Sequence, residues 1–186
     1  AYEEFVHGKF GKNADAVLNV YRWPENPTRY TGTYLVADLT LTSSGGGLSS
    51  CSTNNIAEAL AANVPTYAYE FSHAAGPGWF HIPGYVWGAG HAAELAYLIP
   101  DRGNLAFNAA TFGDNERQLA NEMVKYWGAF IMTGDPAVEG QPAWPAYENG
   151  IGPVLSLRGG GDQVAIPASA YRADHNCEFW DSLAQQ

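Results

Sequence analysis

The chain has 186 residues, 46% of them hydrophobic and 13% aromatic, enough for one folded domain that buries about 70% of its unfolded surface. Nine Lys and Arg against nineteen Asp and Glu leave a formal charge of −10, which repels phosphate backbones and anionic lipid and sets nucleic-acid and membrane-surface roles aside. No run of about 18 apolar residues is present, so no membrane-spanning segment is expected.

The first ten residues, AYEEFVHGKF, lack the basic start and the apolar centre of an export signal. Either export does not apply, or its signal lies on sequence outside this chain. Apolar positions Phe5, Val6, Phe10, Val17, Leu18 and Tyr21 predict two short helices over 5–21, divided by Gly8 and Gly11. RWPENPTRY (22–30), with two prolines, predicts a connection. Residues 31–42, TGTYLVADLTLT, read two ways. Their β-branched content points to a strand, whereas Tyr34, Leu35, Asp38, Leu39 and Thr42 fit a helical face. SSGGGLSS (43–50) predicts a flexible break or turn. A helix follows over 51–64, with Ile56, Ala59, Leu60 and Asn63 on one face.

VPTYAYEFSH (64–73) predicts a strand in which Tyr67, Tyr69 and Phe71 alternate with Ala68 and Glu70. Residues 74–90 have no regular period and form a loop rich in aromatics, Trp79, Phe80, Tyr85 and Trp87. Residues 114–136 carry the clearest helical pattern, with Leu119, Met123, Tyr126, Trp127, Phe130 and Ile131 on one face. Asp114 or Asn115 caps its start and Gly134-Asp135-Pro136 stops it. PVLSLRGGGDQVAIP (153–167) predicts a hairpin around a glycine turn, and 173–186 a last short helix. No internal repeats occur. One convincing sheet-core strand is fewer than a complete α/β domain of this length would show.

Cys51 and Cys177 form no CxxC, and with five scattered histidines they offer no zinc spacing, so no metal is expected. On count alone, two buried free thiols and a bond are equally open. Among the histidines, His91 stands out in WGAGHAAELAYLI (87–99). Glycines free the backbone for tight turns and close approach, so Gly88 and Gly90 allow the chain to present His91 sharply and leave room beside it. That suits a catalytic base, and it equally suits an ordinary turn. His91 and Glu94 fall on one helical face, but helix amphipathicity explains Glu94 as well as metal binding does. His7, His73, His81 and His175 read as surface or loop residues, His81 sharing the aromatic loop. Trp79, Phe80 and Trp87 either line a substrate pocket or cover the core.

Taken in order, several segments resemble the C-terminal part of the type-B carboxylesterase family, the group of para-nitrobenzyl esterases, cholinesterases and fungal lipases. VPTYAYEF is similar to the family's late sheet strand and GAGHAAELAYLI to its histidine motif. MVKYWGAFIMTGDP followed by WPAY resembles its helix, stop and WP-x-Y, and CEFWDSL its ending. The match runs from about residue 2 to 183. The resemblance implies the late strand or strands of an α/β-hydrolase sheet with packing helices and a C-terminal hairpin. Residues 1–186 would then be the C-terminal portion of one α/β-hydrolase domain. It implies that His91 is the histidine of a serine–histidine–acid triad, taking the serine proton and returning it to the leaving alcohol. Its substrate would be a small ester, and it would need no cofactor. Cys51 and Cys177 match cysteines joined in animal members, which implies a disulfide and hence a secreted or extracellular protein.

The nucleophile of the family lies in a Gly-x-Ser-x-Gly elbow, which does not occur here; SSGGGLSS has neither the pattern nor the flanking strand. The family's oxyanion glycines and acid also fall upstream. Glu3, Glu4 and Asp38 are the available acids; Glu3 and Glu4 read as an exposed helix face. Asp38 resembles the family's structural acid, with Arg158 or Arg172 as its partner. The expected partner of the chain is therefore an N-terminal half carrying the serine and the acid. The strand 64–73 is expected to lack parallel neighbours within the chain, since 35–41 is ambiguous and 153–166 reads as a separate hairpin. Two other readings are an esterase-like binding or adhesion module that has lost its nucleophile, and a small domain with its own activity. The last would need a nucleophile among Ser43, Ser44, Ser49, Ser50 and Ser72.

Overall fold

A computed structural model describes residues 1–43, 49–78, 81–99 and 109–184. In chain order the elements are α1 (Tyr2–Phe10), a 3₁₀ turn (Gly11–Asn13), α2 (Ala14–Val20), α3 (Thr31–Thr42), α4 (Ser50–Ala61), β1 (Ala68–Phe71), α5 (Leu95–Leu98), α6 (Asp114–Thr133), β2 (Val154–Leu157), β3 (Val164–Ile166), α7 (Ala168–Asp174) and α8 (Cys177–Ala184). They divide into two compact units, Ala1–Thr53 with Arg172–Gln186, and Asn54–Tyr171.

The first unit is helical. Of the two glycines expected to divide α1 from α2, only Gly11 does so, and Gly8 stays inside α1. Gly11 has φ 52°, a conformation that ends a helix at little steric cost to glycine. The ambiguous stretch 31–42 is a helix. Thr31, Leu39 and Thr42 turn inward at helical spacing, and Leu35 and Val36 pack against the same core, so packing outweighs the β-branched content. Val6, Val17, Leu39, Cys51 and Cys177 are fully buried. Cys51 and Cys177 form a disulfide, their Cα atoms 5.3 Å apart. Beside it the Tyr21 hydroxyl accepts from Trp180 Nε1 at 3.0 Å and pairs with Thr42 Oγ1 at 2.9 Å.

Among the described residues neither Arg172 nor Arg158, the expected partners, forms an ion pair with Asp38. Arg172 is held by Glu178 at 3.1 Å and Asp181 at 2.6 Å, and Arg158 donates to Ser156 Oγ at 3.1 Å. Burial pushes the Asp38 carboxyl above its usual range, and the nearby His175 counters only part of that shift.

The second unit holds a three-stranded sheet in the order β1-β2-β3. β2 and β3 form the expected antiparallel hairpin, with Val154 opposite Ile166 and Ser156 opposite Val164. The expectation that β1 lacks a parallel neighbour is corrected: β1 pairs in parallel with β2, from Ala68 opposite Val154 to Phe71 opposite Leu157. The one strand β2 serves the hairpin on one edge and β1 on the other, which a local reading of 153–167 cannot show. All four residues of β2 are buried, as a central strand requires. Among the described residues β1 has no strand on its other edge.

The 20-residue α6 packs on this sheet through Leu119, Met123 and Tyr126, alongside Leu155, Leu157 and Trp144. Trp144 Nε1 donates to the carbonyl of Ala68 in β1 at 3.0 Å, and the Tyr126 hydroxyl to that of Pro142 at 2.6 Å. Phe130 and Ile131, expected on the buried face, are 46% and 76% exposed. The inward face of α4 also differs from expectation: Ala57 is buried against Tyr147, Val154, Ala168 and Tyr171, while Ile56 and Leu60 are about half exposed. Among the described residues no helix is long and apolar enough to cross a membrane.

Candidate functional site around the His91 turn

The polypeptide leaves β1 and reaches His91 through a loop whose described part is irregular. Trp87 lies so tightly on Gly78 that a Cβ there would meet its indole at 1.7 Å. Trp87 is half-buried, and its ring stands edge-on to Tyr85 with centroids 5.1 Å apart. Trp79 and Phe80, the other two expected pocket residues, lie outside the described residues, as does Ser44.

The turn at His91 is built by two residues in the left-handed region, Gly88 at φ 64° and Ala92 at φ 63°. Gly88 therefore meets the conformational demand read from the sequence. Gly90 does not: a Cβ there would touch only the Trp87 carbonyl, at an ordinary 3.5 Å. The strain falls instead on Ala92, where an L-residue costs roughly 1–2 kcal/mol. The turn closes with the Ala93 amide donating to the Gly90 carbonyl at 3.0 Å and Leu95 to Ala92 at 3.3 Å, then runs into α5. His91 itself is exposed, and none of the described residues hydrogen-bonds or ion-pairs with its imidazole. Burial raises the Tyr69 phenol above its ordinary value, and the charge of Glu94 raises it further.

Beneath this turn lies a constellation that the sequence reading missed. His73, expected at the surface or in a loop, lies in the loop after β1 but is buried (8% exposed). Its Nδ1 accepts the Gly159 amide at 3.2 Å, and its Nε2 lies 2.7 Å from Glu116 Oε1. With Nδ1 an acceptor, the proton sits on Nε2 and is donated to the carboxylate. The other oxygen of Glu116 accepts the Gly113 amide at 2.8 Å. Gly113, not Asp114 or Asn115, is thus the residue at the cap of α6, with Glu116 reaching back to it. Burial alone would raise the Glu116 carboxyl, but the hydrogen bonds from His73 and Gly113 outweigh it and hold the group below the usual carboxylate range. The sequence signal for this cap is a glutamate three residues after Gly113, a cap residue without a side chain and so easily passed over for Asp114 or Asn115.

His81 is exposed, and His7 lies 3.9 Å from Asp15 at the surface. The two concavities that stand out among the described residues, of about 150 and 450 Å³, both lie beside Tyr67 and Trp144, and the His91 turn lines neither. No group of three or more His, Cys, Asp or Glu among the described residues is arranged to hold a metal.

A strand feeding a sharp histidine-bearing turn, a long helix on the sheet and a terminal hairpin are late elements of an α/β-hydrolase fold. Solved structures share this fold. A PNB esterase superposes with a TM-score of 0.60 at 21% identity, over 92% of this chain and 32% of its own. A Geobacillus stearothermophilus carboxylesterase gives 0.64 at 18%, over 95% and 34%. The sequence profile of the carboxylesterase family matches residues 8–180, and the chain belongs to that family. Relatives include carboxylesterase 5A of Canis lupus familiaris, 38% identical over 90 residues, covering 46% of this chain and 15% of the relative. Human cocaine esterase is 34% identical over 94 residues, 50% of this chain and 16% of the relative. A medium-chain fatty acyl-CoA hydrolase precursor of Anas platyrhynchos is 30% identical over 125 residues, 67% and 20%. The chain thus matches a fifth or less of each of these relatives.

Proposed function

We propose that this chain is the C-terminal portion of a serine carboxylic-ester hydrolase domain, contributing His91 as the general base. The observation that carries the reading is His91 itself: an exposed imidazole with none of the described residues engaging it, held on a strained turn, in a chain of the carboxylesterase family. A free, sharply presented imidazole is what proton transfer to and from a reacting oxygen needs.

In this reading a serine on an upstream portion attacks the acyl carbonyl of a small ester. His91 takes the hydroxyl proton as the carbon–oxygen bond forms, then gives it to the departing alcohol as the ester bond breaks. Water attacks the acyl-enzyme with His91 again as base, releasing the acid and restoring the serine. The upstream portion also supplies the acid that orients His91 and the oxyanion donors. Trp87 borders the acyl or alcohol side. The disulfide between Cys51 and Cys177 supports a secreted or extracellular protein.

The test is His91→Ala and His91→Gln in the full-length enzyme, assayed with a short-chain nitrophenyl ester. Each is expected to lose several orders of magnitude in turnover with little change in melting temperature. Retention of more than about a tenth of the activity would show that another group is the base. An upstream elbow bearing glycine or alanine in place of serine would instead favour a binding module.

A further inference from the structure

We infer that the buried pair His73–Glu116 is a positioning device that sets where the His91 turn stands over the sheet. The inference rests on the reading of His91 as the base. Both nitrogens of His73 are committed, one to the Gly159 amide and one to Glu116, so the ring has none left with which to act on a substrate. What it does instead is join three segments at one point: the residues just after β1, the start of α6 and the turn between β2 and β3.

The route to His91 is short. The His73 ring stands edge-on to Tyr97, centroids 6.1 Å apart and planes at 84°. Tyr97 is 2% exposed, packed at 5.0 Å from Phe71 and 4.5 Å from Phe112. It belongs to α5, the single helical turn that continues directly from the His91 turn. Gly76 leaves the space that Tyr97 occupies, since a Cβ there would lie 2.5 Å from the hydroxyl. The backbone hydrogen bonds that close the His91 turn, from Ala93 to Gly90 and from Leu95 to Ala92, are internal to it. On its C-terminal side its placement is therefore set through α5 and Tyr97 by what holds His73. A base displaced by about 1 Å can lose a hundredfold in rate, so this support bears on turnover and not only on stability.

Glycine at 159 is part of the device. A Cβ there would lie 2.4 Å from His73 Cε1 and 2.6 Å from Nδ1, too close for the ring to keep its place. Gly159→Ala thus displaces His73 without touching its chemistry, while Glu116→Gln leaves its place intact and removes one of the two acceptors the carboxylate provides.

The experiment compares Glu116→Gln, Gly159→Ala, His73→Phe and His73→Gln with His91→Ala in the full-length enzyme. Active sites are counted by acyl-enzyme burst titration, so turnover is expressed per folded site. Turnover per site is expected to fall roughly ten- to a hundredfold in Glu116→Gln, Gly159→Ala and His73→Phe, with KM within about twofold. The acidic limb of the kcat/KM profile is expected to move, because the base sits differently against its partners. His73→Gln, which keeps a donor toward Glu116, is expected to recover part of the loss. Unchanged turnover per titrated site, even with fewer sites or a lower melting temperature, would overturn the inference and leave the pair purely structural. If His91→Ala stays active, the base reading fails and takes this inference with it; if His91→Ala is dead while the four variants turn over normally, the inference alone fails.

Discussion

Ala92 poses the sharpest question at the scale of single residues, because a left-handed φ of 63° sits on an alanine next to the candidate base. Glycine there would remove roughly 1–2 kcal/mol of steric cost and would add about 0.4–1 kcal/mol of unfolded-chain entropy to be lost. The first term is larger, so Ala92→Gly is expected to raise stability slightly, by up to about 1 kcal/mol. A lower melting temperature would mean that the methyl makes a contact worth more than the strain. Glu116 sets the pH response. Its carboxyl is held below its ordinary 4.5 in the folded chain, so the folded state binds fewer protons than the unfolded one as pH falls. Its contribution is complete above that ordinary value and is lost as pH drops through the lower folded value. The stability gap between the native chain and Glu116→Gln is therefore expected to narrow on acidification below pH 4.5, followed by urea melts at several pH values; a constant gap would contradict the assignment.

Among the elements, α6 shows how far periodicity reaches. Leu119, Met123 and Tyr126 are buried as the pattern requires, and Gly134 ends the helix at φ 79° with its amide on the Phe130 carbonyl at 2.8 Å. A Cβ at Gly134 would touch nothing within 4 Å, so Gly134→Ala isolates the backbone cost and is expected to destabilise by about 1 kcal/mol. No loss in thermal melting would mean that the C-terminal turn reorganises freely. Met123→Ala, in the fully buried face, is expected to cost about 2–5 kcal/mol. The end of the same stripe and the apolar face of α4 each form a helical face as the spacing says, but that face is largely open. Phe130, Ile131, Ile56 and Leu60 are apolar at helical spacing, yet spacing says which residues share a face and not whether a neighbour covers it.

At the scale of the whole molecule, the disulfide closes a separation of 126 residues across the inserted second unit. Chain-entropy reasoning puts its effect at about 4–5 kcal/mol when unstrained. Reduction, or the double change Cys51→Ser with Cys177→Ser, is expected to lower the midpoint of denaturation markedly, and mass spectrometry of the unreduced protein should find no free thiol. Two free thiols on a folded sample would remove both the bond and the inference of export. Ile56, Leu60, Val64, Ile131 and Met132 are each about half or more exposed, and β1 has an edge with no strand on it among the described residues. Such surfaces invite association. Residues 1–186 expressed alone are therefore expected to self-associate and to show no cleavage of a nitrophenyl ester. A soluble, active monomer whose activity disappears in His91→Ala would overturn the proposal that an upstream portion completes the site.

Local chemistry was enough to mark the helix stop at Gly134, the glycine hairpin of 153–167, the strand before the loop and the turn at His91, because each depends on backbone preferences within a few residues. Order and spacing of those segments were enough to carry the family resemblance, and the resemblance in turn implied the cysteine pairing. Tertiary structure alone decided that β1 lies parallel to β2, that 31–42 is a helix, and that His73 is buried against Glu116 and Gly159. Partners separated by 84 residues in the case of Ser72 and Ser156, and by 86 in that of His73 and Gly159, leave no periodic trace. Strand neighbours and buried polar pairs are chosen by packing across the fold, and packing is a property of surfaces that meet only once the chain has closed.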